Sequence, residues 1–416
     1  MNPNEITTLY QAENQVRPFS FSFARRLIHK MLSGLHHGRL VLHDSGEMIA
    51  FGSRESELVA HVYIHSQAIY PRVLLGGSIG AGEGYIERLW DTDDLTALVR
   101  IMVANMDVLD GMEKGFAWLL RPFRTLRHLL NRNSRQGAKK NILSHYDLGN
   151  EMYAAFLDPT MMYSSAVFPH PYSSLEEAAQ YKLKLICTKL ELQANDHVME
   201  IGTGWGGFAI YAVKKYGCRV TTTTLSEAQY QEAVKRVEAA GLQDRISVLR
   251  QDYRDLQGKY DKVVAIEMIE AVGHAYLPEF FKKCGELLKE DGRMLLQAIT
   301  IRDQKYENYA GNVDFIQQHI FQGGCLPSIT RMQSILTSTT DMVVRHLEDF
   351  GGDYARTLAL WRERFNQAAG RLGELGYDER FRRLWNFYLC YCEGGFLERS
   401  ISVVHIVADR PAARPK

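Results

Sequence analysis

The chain has no charge of one sign to spare: 49 Lys and Arg balance 49 Asp and Glu. That excludes a generic polyanion binder, and no recognisable nucleic-acid module is present, so no nucleic-acid partner is expected. No apolar run approaches the ~20 residues that a membrane-crossing helix needs. The start, Met1-Asn-Pro-Asn-Glu-Ile6, lacks a basic stretch followed by an apolar one, so no secretory leader is expected. Cysteine is sparse and scattered, at Cys187, Cys218, Cys284, Cys325, Cys390 and Cys392, with no CxxC pair. No metal site is expected from it, and free thiols in a reducing, cytoplasmic setting are the simplest account. What is there is ordinary globular composition, 46% hydrophobic and 24% charged. At 416 residues the chain is too long for one ordinary domain and predicts two.

The most informative stretch is Val198-Met-Glu-Ile-Gly-Thr-Gly-Trp-Gly-Gly-Phe208, which reads as a buried strand, a glycine turn and a helix. Gly202 and Gly204 permit positive φ and a close ligand approach, because neither carries a Cβ. A helix over Leu183–Leu192 precedes the stretch, and a second strand, Cys218–Leu225, follows it. A glycine turn alone also fits a dinucleotide site or a plain tight turn. A dinucleotide site would place an acid at the end of the second strand. Here that strand runs into Thr224-Leu-Ser-Glu-Ala-Gln229, and no Walker lysine follows the glycines. Glu200, at the strand's end, disfavours a phosphate and suits a ligand with a positive end, such as the amino group of S-adenosylmethionine. The competing reading of Glu200 is a charged strand terminus.

Residues 1–110 read as a small α/β unit. Phe21–Leu35 has helical spacing, and Gly38–Asp44, Glu47–Gly52 and Leu58–Ile64 read as strands, with Tyr70–Leu75 as a further one. The glycine-rich run Gly76–Gly84 lacks the context of a nucleotide loop. Asp91-Thr-Asp-Asp-Leu95 can cap a helix to about Met106, and Tyr85 and Trp90 read as core. Residues 111–140 form a basic linker. Arg121, Arg124, Arg127, Arg132, Arg135, Lys139 and Lys140 carry no acid among them and alternate with Trp118, Phe123 and leucines. Arg121–Lys140 suits an anionic membrane surface, and equally a solvated interdomain helix. Residues 141–410 form the second domain. Strands recur at Ile246–Leu249, Asp261–Ile266 and Gly292–Gln297 with helices between, which implies a parallel sheet covered on both faces. Glu267 and Glu270 stand three apart where the fourth strand meets a helix, on the side where such sheets bind ligands.

Several motifs then occur in order. They are His145-Tyr-Asp-Leu-Gly-Asn150, Met162-Tyr-Ser-Ser165, Glu200-Ile-Gly-Thr-Gly-Trp-Gly-Gly207, Thr224–Gln229 and Gln251-Asp-Tyr-Arg-Asp255. Met268-Ile-Glu-Ala-Val-Gly273, Ile320–Ser328, Phe350-Gly-Gly-Asp-Tyr354 and Tyr388-Leu-Cys-Tyr-Cys392 follow. On these the chain resembles the cyclopropane-fatty-acyl-phospholipid synthases, with the mycolic acid cyclopropane synthases as more distant kin. The resemblance implies an α/β fold: a Rossmann-like class I methyltransferase domain with a smaller N-terminal α/β lipid-binding domain of sterol-carrier type. It implies S-adenosylmethionine bound through Tyr163, Ser164, Gly202, Gly204, Thr224, Leu225, Gln229, Tyr253 and Arg254, beside Glu200. It implies a bicarbonate base held by Ser165, Glu270, Gln297, Ile299 and Tyr354. A catalytic role for Cys392 comes from the same source, with a buried structural thiol as the competing reading.

The substrate implied is an unsaturated acyl chain of a membrane phospholipid. The enzyme would be peripheral, on the inner face of the membrane, and a homodimer. In that chemistry the alkene attacks the activated methyl group and a base removes a proton from the resulting cation, so that a ring closes. Three residues depart from the family pattern. Serine stands at 165 where cysteine is common, glutamine at 297 where histidine is common, and Glu267 where many members have glycine. These leave open a methylated or methylene-bearing product without a ring, and a soluble acceptor remains a further alternative.

Overall fold

The computed structural model describes residues 21–107 and 149–414. The basic segment Arg121–Lys140 and most of the motif His145–Asn150 lie outside them. The chain forms two compact units, Met1–Leu126 with Glu379–Gly394, and Arg127–Asp378 with Gly395–Lys416.

In the first unit, helix Phe21–Leu32 precedes strands β1 (Arg39–Asp44), β2 (Glu47–Gly52), β3 (Val59–Ile64) and β4 (Trp90–Thr92), in the sheet order β2-β1-β3-β4. The β1–β2 connection is two residues, Ser45 and Gly46, both at positive φ, which matches the twist of a tight antiparallel hairpin. Asp94 caps helix Leu95–Ala104 by accepting from the Ala97 N–H at 2.9 Å, as the acidic run predicted. The expected strand at Tyr70–Leu75 is instead helical. Ile69–Ile86 forms one helix, kinked at Gly77 (φ +55°), that takes in the whole glycine-rich run. Short apolar runs do not separate strand from helix by periodicity. Packing decides here: a Cβ on Gly84 would lie 2.3 Å from Ile69 Cδ1, so the glycines allow a contact that outweighs their poor helix propensity. Tyr70 donates to buried Asp44 at 2.6 Å, which also pairs with Arg25 at 2.7 Å.

The second unit is built on seven strands: β5 (His197–Ile201), β6 (Arg219–Thr223), β7 (Ile246–Leu249), β8 (Tyr260–Ile266), β9 (Leu288–Ile301), β10 (Val343–Asp349) and β11 (Ile401–Asp409). The order is β10-β11-β9-β8-β5-β6-β7. The pairs from β9 to β7 are parallel, as the alternation of strands and helices predicted. The antiparallel β11 and β10 extend one side and were not foreseen. Met199, Ile201, Val263 and Ala265 face one core, and Val198, Val264 and Leu295 the other, which gives the period of two that a sheet covered on both faces requires. The helix before β5 runs Leu175–Lys189, opened by a capping box of Ser174 and Glu177. The order reverses at β5, which pairs with β6 on one side and β8 on the other. The C-terminal ends of β5 and β8 therefore flank the crevice where open α/β sheets bind ligands.

Candidate active site

The turn after β5 is shaped by backbone conformation. Gly202 has φ +103° and Gly204 φ +51°. The Gly202 and Thr203 N–H groups both donate to the Thr223 carbonyl, at 3.1 and 2.9 Å, which ties the turn to β6. A Cβ on Gly202 would lie 3.0 Å from Met268 Cγ, whereas one on Gly204 would meet nothing within 4 Å. One glycine thus lets the end of β8 approach, and the other leaves open space. Arg236 fixes the turn to the loop before Tyr163 by donating to the Thr160, Pro159 and Trp205 carbonyls.

Glu200 is almost wholly buried, and its Oε2 has no hydrogen-bond partner. Burial pushes its carboxyl up to about 8, against a hydrogen bond from Thr222. A buried carboxylate oxygen without a donor costs free energy unless a ligand supplies one. The ammonium of S-adenosylmethionine is such a ligand, so the residues present fit it. Thr224 directly follows β6 and donates to Gln229 Oε1 at 2.9 Å, with Leu225 beside it half-buried. Tyr253 and Arg254 follow β7. There the Arg254 guanidinium is held by Asp252, at 2.9 and 2.6 Å, and Tyr253 packs on Phe280. Of the expected cofactor residues, those from Glu200 to Arg254 thus lie at or just after the C-terminal ends of β5, β6 and β7, whereas Tyr163 and Ser164 lie on the loop before helix Leu175–Lys189. Ser164 is engaged by a residue sequence reasoning missed: Lys182, fully buried, donates to its hydroxyl at 2.6 Å.

At the end of β8, Glu267 has φ +49°, the left-handed region that favours glycine. Its backbone N–H donates to the Gln297 carbonyl at 2.8 Å. Its Oε1 accepts from the Ser165 N–H at 2.8 Å and Gln297 Nε2 at 2.7 Å, and its Oε2 accepts from the Tyr354 hydroxyl at 2.7 Å. The Gln297 amide has one consistent orientation. The Lys189 ammonium can only donate, so His405 Nδ1, 2.9 Å away, accepts, and His405 Nε2 donates to Gln297 Oε1 at 2.9 Å. Burial, with repulsion from Lys189 and Lys182, holds His405 well below the ordinary histidine value and hence neutral.

Glu270 is held differently. Its Oε1 accepts from the Ile299 N–H at 2.5 Å, and its buried Oε2 has no partner. Burial and the neighbouring Glu267 push its carboxyl up to about 8. Burial also raises Glu267, but Lys182, Tyr354, the Ser165 N–H and Gln297 all oppose it. Burial brings Lys182 down to about 8, with Glu267 and Asp158 resisting. This environment separates the two acids: Glu267 accepts from three donors and is favoured by the Lys182 charge, whereas Glu270 has a single donor and the Glu267 carboxyl as its neighbour.

The donors expected to hold bicarbonate are therefore committed elsewhere. Ser165 N–H and Tyr354 O–H each have one hydrogen, given to Glu267, and Ile299 N–H gives its one to Glu270. Gln297 Nε2 has two, directed at Glu267 and, at 3.4 Å, at the Ser165 carbonyl. The residues present do not fit a bound bicarbonate.

An aromatic wall adjoins the carboxylates. Tyr354 packs on Phe396 at 4.5 Å and meets Trp361 edge-on at 6.1 Å, and Trp361 lies 5.4 Å from Tyr163. The loop Ile320–Ser328 is anchored to the acids by the Cys325 N–H, which donates to the Glu270 carbonyl at 2.7 Å. Cys392, half-buried, lies on the part of helix Glu379–Leu397 that belongs to the first unit. Lys182 and Lys189 come from the helix Leu175–Lys189 and His405 from β11, and no local pattern marks them.

Residues 133–406 match the family described as mycolic acid cyclopropane synthetase. The chain is 36% identical over 384 residues to the tuberculostearic acid methyltransferase of Mycobacterium tuberculosis, covering 91% of this chain and 88% of that one. It is also 36% identical over 356 residues to the cyclopropane-fatty-acyl-phospholipid synthase of Escherichia coli K12, covering 84% and 88%. Among solved structures, a cyclopropane synthase from Mycobacterium tuberculosis superposes with a TM-score of 0.61 at 28% identity, covering 65% of this chain and 98% of that one. A mycolic acid cyclopropane synthase complexed with SAH and CTAB gives the same TM-score and coverage at 30% identity.

Proposed function

The chain belongs to the mycolic acid cyclopropane synthetase family of S-adenosylmethionine-dependent methyltransferases, and from that premise we propose that it converts the double bond of an unsaturated phospholipid acyl chain into a cyclopropane ring. The observation that carries this reading is a Glu267 carboxyl met by three donors beside the aromatic wall of Tyr163, Trp361 and Tyr354. Bound S-adenosylmethionine supplies an activated methyl group, so the protein needs no nucleophile of its own. It has to orient an alkene, exclude water and stabilise the cation left on the acyl chain. Faces of aromatic rings and a carboxylate suit that cation. The basic segment Arg121–Lys140 supports a peripheral association with an anionic membrane surface, on the cytoplasmic face. A lipid-binding first unit and a homodimer belong to the same reading.

A second reading has its own support. One relative is named a tuberculostearic acid methyltransferase, and Gln297 and Glu267 depart from the pattern that the family resemblance implies. On this reading the cation loses a different proton and leaves a methyl-branched or methylene-bearing chain. Both are tested with methyl-labelled S-adenosylmethionine and vesicles of mono-unsaturated phospholipid, with the extracted acyl chains examined by mass spectrometry and NMR. Label in a chain with cyclopropane protons and no alkene is the expected result. Label beside a retained alkene or a branch methyl supports the second reading. Absence of label from lipid refutes both.

A further inference from the structure

We propose that Glu267 is itself the base that takes the proton from the methylated acyl cation, standing in the place of a bound bicarbonate, so that turnover needs none. This rests on the reading of the site as acyl-chain methyl transfer. The chain sets three donors, the Ser165 N–H, the Gln297 amide and the Tyr354 hydroxyl, around one anion-sized position. A carboxylate has the same planar O–C–O edge as bicarbonate, and Glu267 delivers one there covalently. The donor count leaves nothing over for a second anion, since the Ile299 N–H is committed to Glu270.

Backbone conformation supports the same conclusion. A non-glycine residue at φ +49° costs about 1–2 kcal/mol, and such strain persists where the surroundings over-determine it, often at functional sites. Here three hydrogen bonds to the side chain and one from the backbone N–H to Gln297 impose it. Charge is matched as well: Lys182 is the buried cation that favours the anionic form of Glu267. The relay from Lys189 through His405 presents a neutral amide, rather than a second cation, to the carboxylate.

The step balances. The alkene π pair forms a bond to the methyl carbon, and the sulfur–carbon pair leaves with sulfur. A Glu267 oxygen takes a proton from the transferred methyl group, and the freed C–H pair closes the ring. If the proton comes from a neighbouring chain carbon instead, the pair forms an alkene. Either way Glu267 ends as a neutral acid and returns its proton to solvent.

The test begins with the wild-type enzyme, assayed for label transfer into lipid in carbon-dioxide-free buffer and again with added bicarbonate. The rate should be the same. Dependence on bicarbonate overturns the proposal, whereas absence of transfer under both conditions refutes the functional reading instead. Glu267→Gln should lower kcat by roughly 10²–10⁴, the usual worth of a general base, with cofactor affinity in calorimetry unchanged. Wild-type turnover in that variant overturns the proposal. Glu267→Gly frees the three donors, and bicarbonate or formate should restore its turnover saturably while leaving Glu267→Gln inactive. A readout independent of activity is ¹³C-bicarbonate NMR: no binding to the wild type is expected, and binding to Glu267→Gly. Wild-type binding that is lost when Tyr354 is changed to Phe overturns the proposal even if neither Glu267 variant folds.

Discussion

Replacing Glu200 by glutamine should move cofactor affinity and the stability of the ligand-free protein in opposite directions. The Glu200 carboxyl is held at about 8 against an ordinary 4.5, by burial that a hydrogen bond from Thr222 only partly offsets. A raised acid pKa means that the folded state keeps a proton the unfolded chain has lost, so stability falls as pH rises from about 4.5 to about 8. At about 1.36 kcal/mol per pH decade, full ionisation costs the ligand-free fold roughly 4–5 kcal/mol. Glutamine is isosteric and carries no charge, so Glu200→Gln should melt higher than wild type, with the gap widening up to about pH 8 and then levelling. With S-adenosylmethionine present the sign reverses. Loss of a charge-assisted hydrogen bond worth about 1.5–3 kcal/mol weakens binding roughly tenfold to a hundredfold. Thermal denaturation with and without cofactor at several pH values, with calorimetric Kd, reads both effects. Wild-type affinity in the variant would remove Glu200 from the cofactor site, and a pH-independent stability gap would refute the buried-charge reasoning.

Two further perturbations probe the carboxylate pair and the turn. Lys182→Met removes the cation that opposes the upward shift of Glu267. The acid limb of the pH–rate profile, below which Glu267 is protonated and idle, should move to higher pH while the fold is retained, and an unmoved limb argues against Glu267 as the base. Gly202→Ala places a Cβ 3.0 Å from Met268 Cγ at φ +103°. It should cost about 1–3 kcal/mol of stability and weaken cofactor binding and turnover together, since Met268 adjoins Glu267. Calorimetry and denaturation check it, and unchanged binding would mean that the turn is only a chain reversal.

Much of this protein is determined by local sequence. The β5 strand and its glycine turn, the alternation of strands and helices to β9, the Asp94 cap and the position of Glu200 all follow from period, turn chemistry and the backbone freedom of glycine. These act within a few residues, so a linear string carries them. Tertiary structure alone decided the rest. Ile69–Ile86 is helical because of what its glycines touch, and β10 and β11 join the sheet only by pairing across long stretches of chain. Glu267 could be read as an extra acid next to a second one. That three donors and a buried cation converge on it, while Glu270 has one donor, depends on Ser165, Lys182, Gln297, Tyr354 and His405 arriving from five separate segments. Hydrogen bonds and burial set a carboxyl's charge through contacts within a few ångströms in space, and those contacts exist only once the chain has folded.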